Sequence, residues 1–93
     1  MITAAQIRGA RGLLGISQSA LSELAAISTG TVKRLESAQE VRGSASSVFA
    51  IETALERAGV EFIPADEKKG PGVRLKHPAK TKPKKVGRRG SSA

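Results

Sequence analysis

SQSALSELAAISTGTVKRLE, residues 17–36, is the stretch that decides the fold. Ser17 is a favourable N-cap, because a serine oxygen accepts an amide that the first helical turn leaves unpaired. It opens a helix over about 17–25, with Leu21, Leu24 and Ala25 as its expected buried stripe. Ser28 caps a further helix over about 28–37, with Val32 and Leu35 facing inward and Thr31 as another inward candidate. Roughly three residues around Ile27 separate the two, and a connection that short forces the helices to cross steeply. Close crossing needs small side chains at the contact. Ser22, Ala25 and Ala26 supply them, and Leu21, Ile27, Val32 and Leu35 fill the angle.

Upstream, Thr3 caps a helix over 3–14 in which Ile7, Ala10, Arg11 and Leu14 recur at helical spacing. Gly9 and Gly12 each weaken it by about 1 kcal/mol relative to alanine, so packing must hold it, and Gly15 is a natural stop. Downstream, residues 39–44 read as a loop. A fourth helix runs from about Ser46 to Ala58, with Val48, Ile51, Ala54, Leu55 and Ala58 as its stripe and Gly59 closing it. Val60–Ile63 and Val73–Leu75 alternate in part and suggest a loose β-hairpin with a long loop. From Lys76 onward periodicity ends, and Pro78, Pro83, Gly87 and Gly90 punctuate a run of bases. That composition predicts a disordered basic tail. The expected architecture is all-α: a compact four-helix domain over 1–59, a short β-hairpin or strand appendix over 60–76 and the tail over 77–93.

Composition narrows the classes. With 93 residues there is room for one domain at most. The chain has no Cys, Trp or Tyr, so the core must be aliphatic, and neither a disulfide framework nor a thiolate metal site is available. Phe49 and Phe62 are expected in the core. His77 is the single histidine and is expected to be solvated and idle. No apolar run approaches the roughly 18 residues that span a membrane, and the N-terminus lacks a signal-peptide pattern, so a cytoplasmic protein is expected. No nucleophile–base set, phosphate loop or metal spacing appears, so neither an enzyme, a cofactor nor a small-molecule ligand is expected. The net charge of +8 is unevenly placed. Residues 1–67 hold six bases and eight acids, whereas residues 68–93 hold ten bases and no acid. High basicity is therefore a property of the tail. Within 1–67, five of the six bases fall between Arg8 and Arg42, which gives a dipolar domain with a basic front half.

The central stretch resembles the lambda-repressor-like, or XRE-type, helix-turn-helix regulators, which include phage repressors and Cro proteins. The resemblance rests on Arg11 late in the first helix, Ser17-Gln18 opening the second, Leu21, and the ending Val32-Lys33-Arg34-Leu35-Glu36. It covers about residues 3–59 and extends more loosely to Gly59–Pro64 and Gly70–Leu75. There are departures: Ser22 stands where the family often has Ala, Ala26 where it often has Gly, and Gly30 where it usually carries a base-reading side chain.

The resemblance implies a sequence-specific transcriptional regulator that reads double-stranded DNA in the major groove with the helix at about 28–37. Ser28, Thr29, Gly30 and Thr31 open that helix. Thr29 is either a contact to a base edge or thymine methyl, or a second cap residue. Lys33 and Arg34 lie one turn on, one for guanine and the other for phosphate. Gln18 would contact the DNA backbone and brace the reading helix, and Arg42 is a further phosphate candidate. Arg11 and Glu36 would form a structural ion pair linking the first and third helices. A homodimer reading two half-sites is expected, either through strand pairing of the hairpin between two chains or with the hairpin folded back on helix four of its own chain. The tail reads as a solubility extension, a localisation signal or a nonspecific nucleic-acid arm, the last being preferred. The alternative from another class is a protein-interaction module such as an antitoxin or antiactivator with secondary DNA binding.

Overall fold

The computed structural model describes residues 2–37 and 45–77. Four helices and one hairpin follow in order: α1 (Ala4–Leu14), α2 (Gln18–Ala25), α3 (Thr29–Ser37), α4 (Ala45–Arg57), β1 (Val60–Ile63) and β2 (Gly72–Leu75). The basic tail and residues 38–44, Arg42 included, lie outside the described residues, apart from His77.

Local chemistry sets the boundaries. Thr3 and Gln6 form a capping box: Gln6 N–H donates to Thr3 Oγ1 at 3.1 Å, and Thr3 N–H donates to Gln6 Oε1 at 2.8 Å. α1 stops at Gly15, which takes the left-handed conformation at φ 68° without a Cβ penalty. Ser17 caps α2 through the amide of Ala20, at 3.0 Å. α2 ends on Ala26, also left-handed at φ 58°, where a Cβ is crowded. A glycine would sit there at lower cost.

The core is aliphatic. Ile7, Leu21, Val32, Leu35, Ile51, Leu55 and Val60 are completely buried, one or two from each helix and one from β1. Gly9 lets α1 approach the sheet closely, since a Cβ there would lie 3.1 Å from Val73 Cγ2. Three expected core residues are on the surface. Leu24 is 55 % exposed and Phe49 69 %. Ala58 is exposed beyond the last turn of α4. The buried face of α2 is set by Leu21, Ser22 and Ala25, which places Leu24 at its margin. Val48, Ile51, Ala54 and Leu55 define the buried face of α4, and Phe49 falls about 100° round from Val48.

β1 and β2 pair antiparallel, with Val60 opposite Leu75 and Phe62 opposite Val73. The hairpin packs against both α1 and α4 of the same chain, and Val60 belongs to the helical core. Gln6, 6 % exposed, fastens the arrangement: its Nε2 donates to the carbonyls of Ile63 at 3.2 Å and Gly72 at 2.8 Å. In the connecting loop Asp66 Oδ1 accepts the amides of Lys68 and Lys69, which hold its carboxyl below the usual range. Lys76 Nζ donates to Glu56 O at 2.9 Å, adding a second bond to a carbonyl at the end of α4 that already accepts the Gly59 amide at 3.1 Å.

Candidate nucleic-acid interface

α2, a three-residue turn and α3 form the candidate interface. Ile27 N–H donates back to Ser22 O at 3.0 Å and closes the turn. Ser22 is 6 % exposed. Its hydroxyl lies 2.6 Å from Ser19 O and 3.1 Å from Thr29 Oγ1. The small residue expected at the helix crossing is therefore also a polar tie from α2 to the first residue of α3. An alanine there would pack but leave the Thr29 hydroxyl without this partner.

α3 opens on Ser28, whose Oγ accepts the Thr31 amide at 3.1 Å. Ser28 and Thr31 also share a hydroxyl–hydroxyl hydrogen bond of 2.8 Å. Thr29 and Thr31 are half-buried, and Ser28 and Gly30 are exposed. With Val32, Leu35 and Glu36 buried on one side, α3 turns Lys33 and Arg34 outward. Both are exposed, and neither side chain makes an ion pair or hydrogen bond among the described residues.

The far end of α3 is held by charge. Glu36 is 3 % exposed. Arg11 grips it bidentately, Nε to Oε2 at 2.7 Å and Nη2 to Oε1 at 2.9 Å, and Arg11 Nη1 also donates to Ile16 O at 3.1 Å. Gln18 Nε2 adds a third bond to Glu36 Oε1, at 3.0 Å. Burial alone would raise the Glu36 pKa. The hydrogen bonds from Arg11 and Gln18 and the charges of Arg11 and Arg8 outweigh it, so the carboxyl stays below its ordinary value. The Arg11 guanidinium is raised by its hydrogen bond to Glu36, against the lowering effect of burial. Arg8 donates to the backbone carbonyl of Glu36, placing a cation at the negative end of the α3 dipole.

The structure thus gathers Ser28, Thr29, Thr31, Lys33 and Arg34 on one helix and sets Gln18 against its far end. Gln18 is half-buried and spends one amide hydrogen inside the protein, so its bracing of α3 is direct. Three contacts escaped the sequence reading: Ser22 to Thr29, Gln18 to Glu36, and Arg8 to the end of α3. Each joins residues on different helices, and spacing along one helix carries no signal for it. Thr3 was read as a cap, but neither its capping box with Gln6 nor the reach of Gln6 to the hairpin was expected.

Among the described residues no group of three or more His, Cys, Asp or Glu is placed to hold a metal, and no helix is long and apolar enough to cross a membrane. No protein-family model matches this chain, and no curated protein matches it.

Proposed function

We propose that the chain is a sequence-specific DNA-binding transcriptional regulator with a lambda-repressor-like fold. In this reading α3 enters the major groove, while Ser17 and Gln18 bring the N-terminal end of α2 to the DNA backbone. The observation that carries it is the state of α3. The helix is tied at its start by Ser22–Thr29 and at its end by Arg11, Gln18 and Glu36, while its two outward cations take no partner among the described residues. A rigid helix with free bases is what groove readout requires, because base contacts demand fixed geometry and phosphate contacts demand charge. The protein acts on double-stranded DNA as a homodimer in the cytoplasm, the basic tail adds nonspecific affinity, and no catalysis is involved.

The test is selection from a random-sequence duplex pool by the full chain. Enrichment of one motif, with two-fold symmetry if a dimer binds, supports the reading. Binding to every duplex with equal strength contradicts it. A second reading, a protein-interaction module such as an antitoxin or antiactivator, draws on exposed Leu24 and Phe49. It predicts that no motif is enriched and that changing Phe49→Ser abolishes partner capture without touching DNA affinity.

A further inference from the structure

Gly30 performs no service for the fold. It lies in the first turn of α3 and is exposed. Its backbone is not left-handed, a state confined among the described glycines to Gly15 and Gly59. A Cβ at Gly30 would meet only Ser28 Oγ, at 3.9 Å, which is ordinary contact. Gly9, which close packing does explain, differs sharply, with Val73 Cγ2 at 3.1 Å. Gly30 thus weakens α3 without relieving crowding or strain. Its surroundings are kept low as well. The Thr29 hydroxyl bonds to Ser22 and the Thr31 hydroxyl to Ser28. The Gly30 amide takes no partner among the described residues. One turn further along stand Lys33 and Arg34, exposed and without a partner among the described residues.

We propose that Gly30 is a close-approach position, where duplex DNA seats against its bare Cα and amide. Backbone fit then sets how deeply α3 enters the groove, and Lys33 and Arg34 contact base edges or phosphates only at that depth. Any side chain at position 30 lifts α3 away and loosens sequence preference. The inference rests on the reading of α3 as the DNA-contacting helix.

The test uses the full chain and a duplex that the wild type itself enriches from a random pool. Affinity for that duplex and Tm are measured for the wild type, Gly30→Ala, Gly30→Gln and Gly12→Ala. Gly12 is the control: it is a second exposed helical glycine with open space around it, off α3. Both alanine variants should melt a few degrees higher, about 4 °C. Gly30→Ala should bind about tenfold more weakly, the scale of one lost contact, and Gly30→Gln at least as weakly, while Gly12→Ala binds like the wild type. Unchanged affinity in Gly30→Ala overturns the proposal. Tighter binding by Gly30→Gln does so too, since position 30 would then be an empty seat for a side chain. An equal loss in Gly12→Ala also overturns it, because the effect would be helix stiffening and not contact. A wild type that enriches no duplex overturns the DNA reading and this proposal together; enrichment with an indifferent Gly30→Ala overturns this proposal alone.

Discussion

In the proposed function Lys33 and Arg34 serve DNA rather than the fold, since neither is engaged among the described residues. Replacing either with Ala should change stability by less than about 0.5 kcal/mol and weaken operator binding by about 1–3 kcal/mol where a base contact is lost. The two roles separate in one experiment. The guanine reader relaxes specificity at one position, and the phosphate reader lowers the salt slope by about one. Unaltered binding in both variants would refute the docking face. Glu36 has the opposite character. Its folded pKa lies below its unfolded value, so its contribution is complete above about pH 4.3 and is lost as pH falls through the lower, folded value. Melting followed against pH should therefore show a shallower acid limb in Glu36→Gln than in the wild type; parallel curves would deny the linkage. Arg11→Met strands a buried carboxylate and should cost about 3 kcal/mol, read by urea denaturation. At this scale the Arg11–Glu36 pair and the outward placement of Lys33 and Arg34 were legible through the resemblance. For Gln18 the bracing of α3 was expected but its partner Glu36 was not, because that bond depends on where α2 and α3 converge.

The helices were readable because their signals are local. Thr3, Ser17 and Ser28 start helices within one residue of the expected places, and Gly15 ends one. The hairpin strands were legible from alternation, and β2 begins one residue earlier than expected, at Gly72. The faces were harder. Leu24 and Phe49 carry apolar side chains at plausible helical spacing, yet the core fills with Leu21, Val48 and Ile51 before reaching them. The turn between α2 and α3 offers a direct check on the strain at Ala26. Ala26→Gly should stabilise the protein by about 1 kcal/mol, since the left-handed penalty outweighs the extra freedom glycine gives the unfolded chain. Lower stability would mean that the Ala26 methyl makes an unrecognised contact. Gln6 is the matching check on the hairpin. Gln6→Ala leaves the Ile63 and Gly72 carbonyls short of a donor and should cost about 2–3 kcal/mol. Amide exchange should then accelerate in β1 and β2 before it does in α3. Uniform acceleration would make Gln6 a general core residue.

For the whole molecule, charge is unevenly distributed along the sequence. Residues 1–67 hold six bases and eight acids, while the ten bases of residues 68–93 make the protein basic. In the proposed function, nonspecific attraction to DNA resides in the tail and sequence preference in α3. Removing residues 77–93 should flatten the dependence of affinity on salt, because fewer counterions are released. The core stays intact under this change: its buried residues run from Ile2 to Val60, and the hairpin that covers it ends at Leu75. The most direct measurement of the central claim is the affinity ratio of this shortened chain, ending at Lys76, for an enriched duplex against a scrambled one. The account predicts a ratio equal to or above that of the full chain, with both affinities lower. A ratio that collapses to one when the tail is removed would contradict it, and would transfer base reading from α3 to the tail.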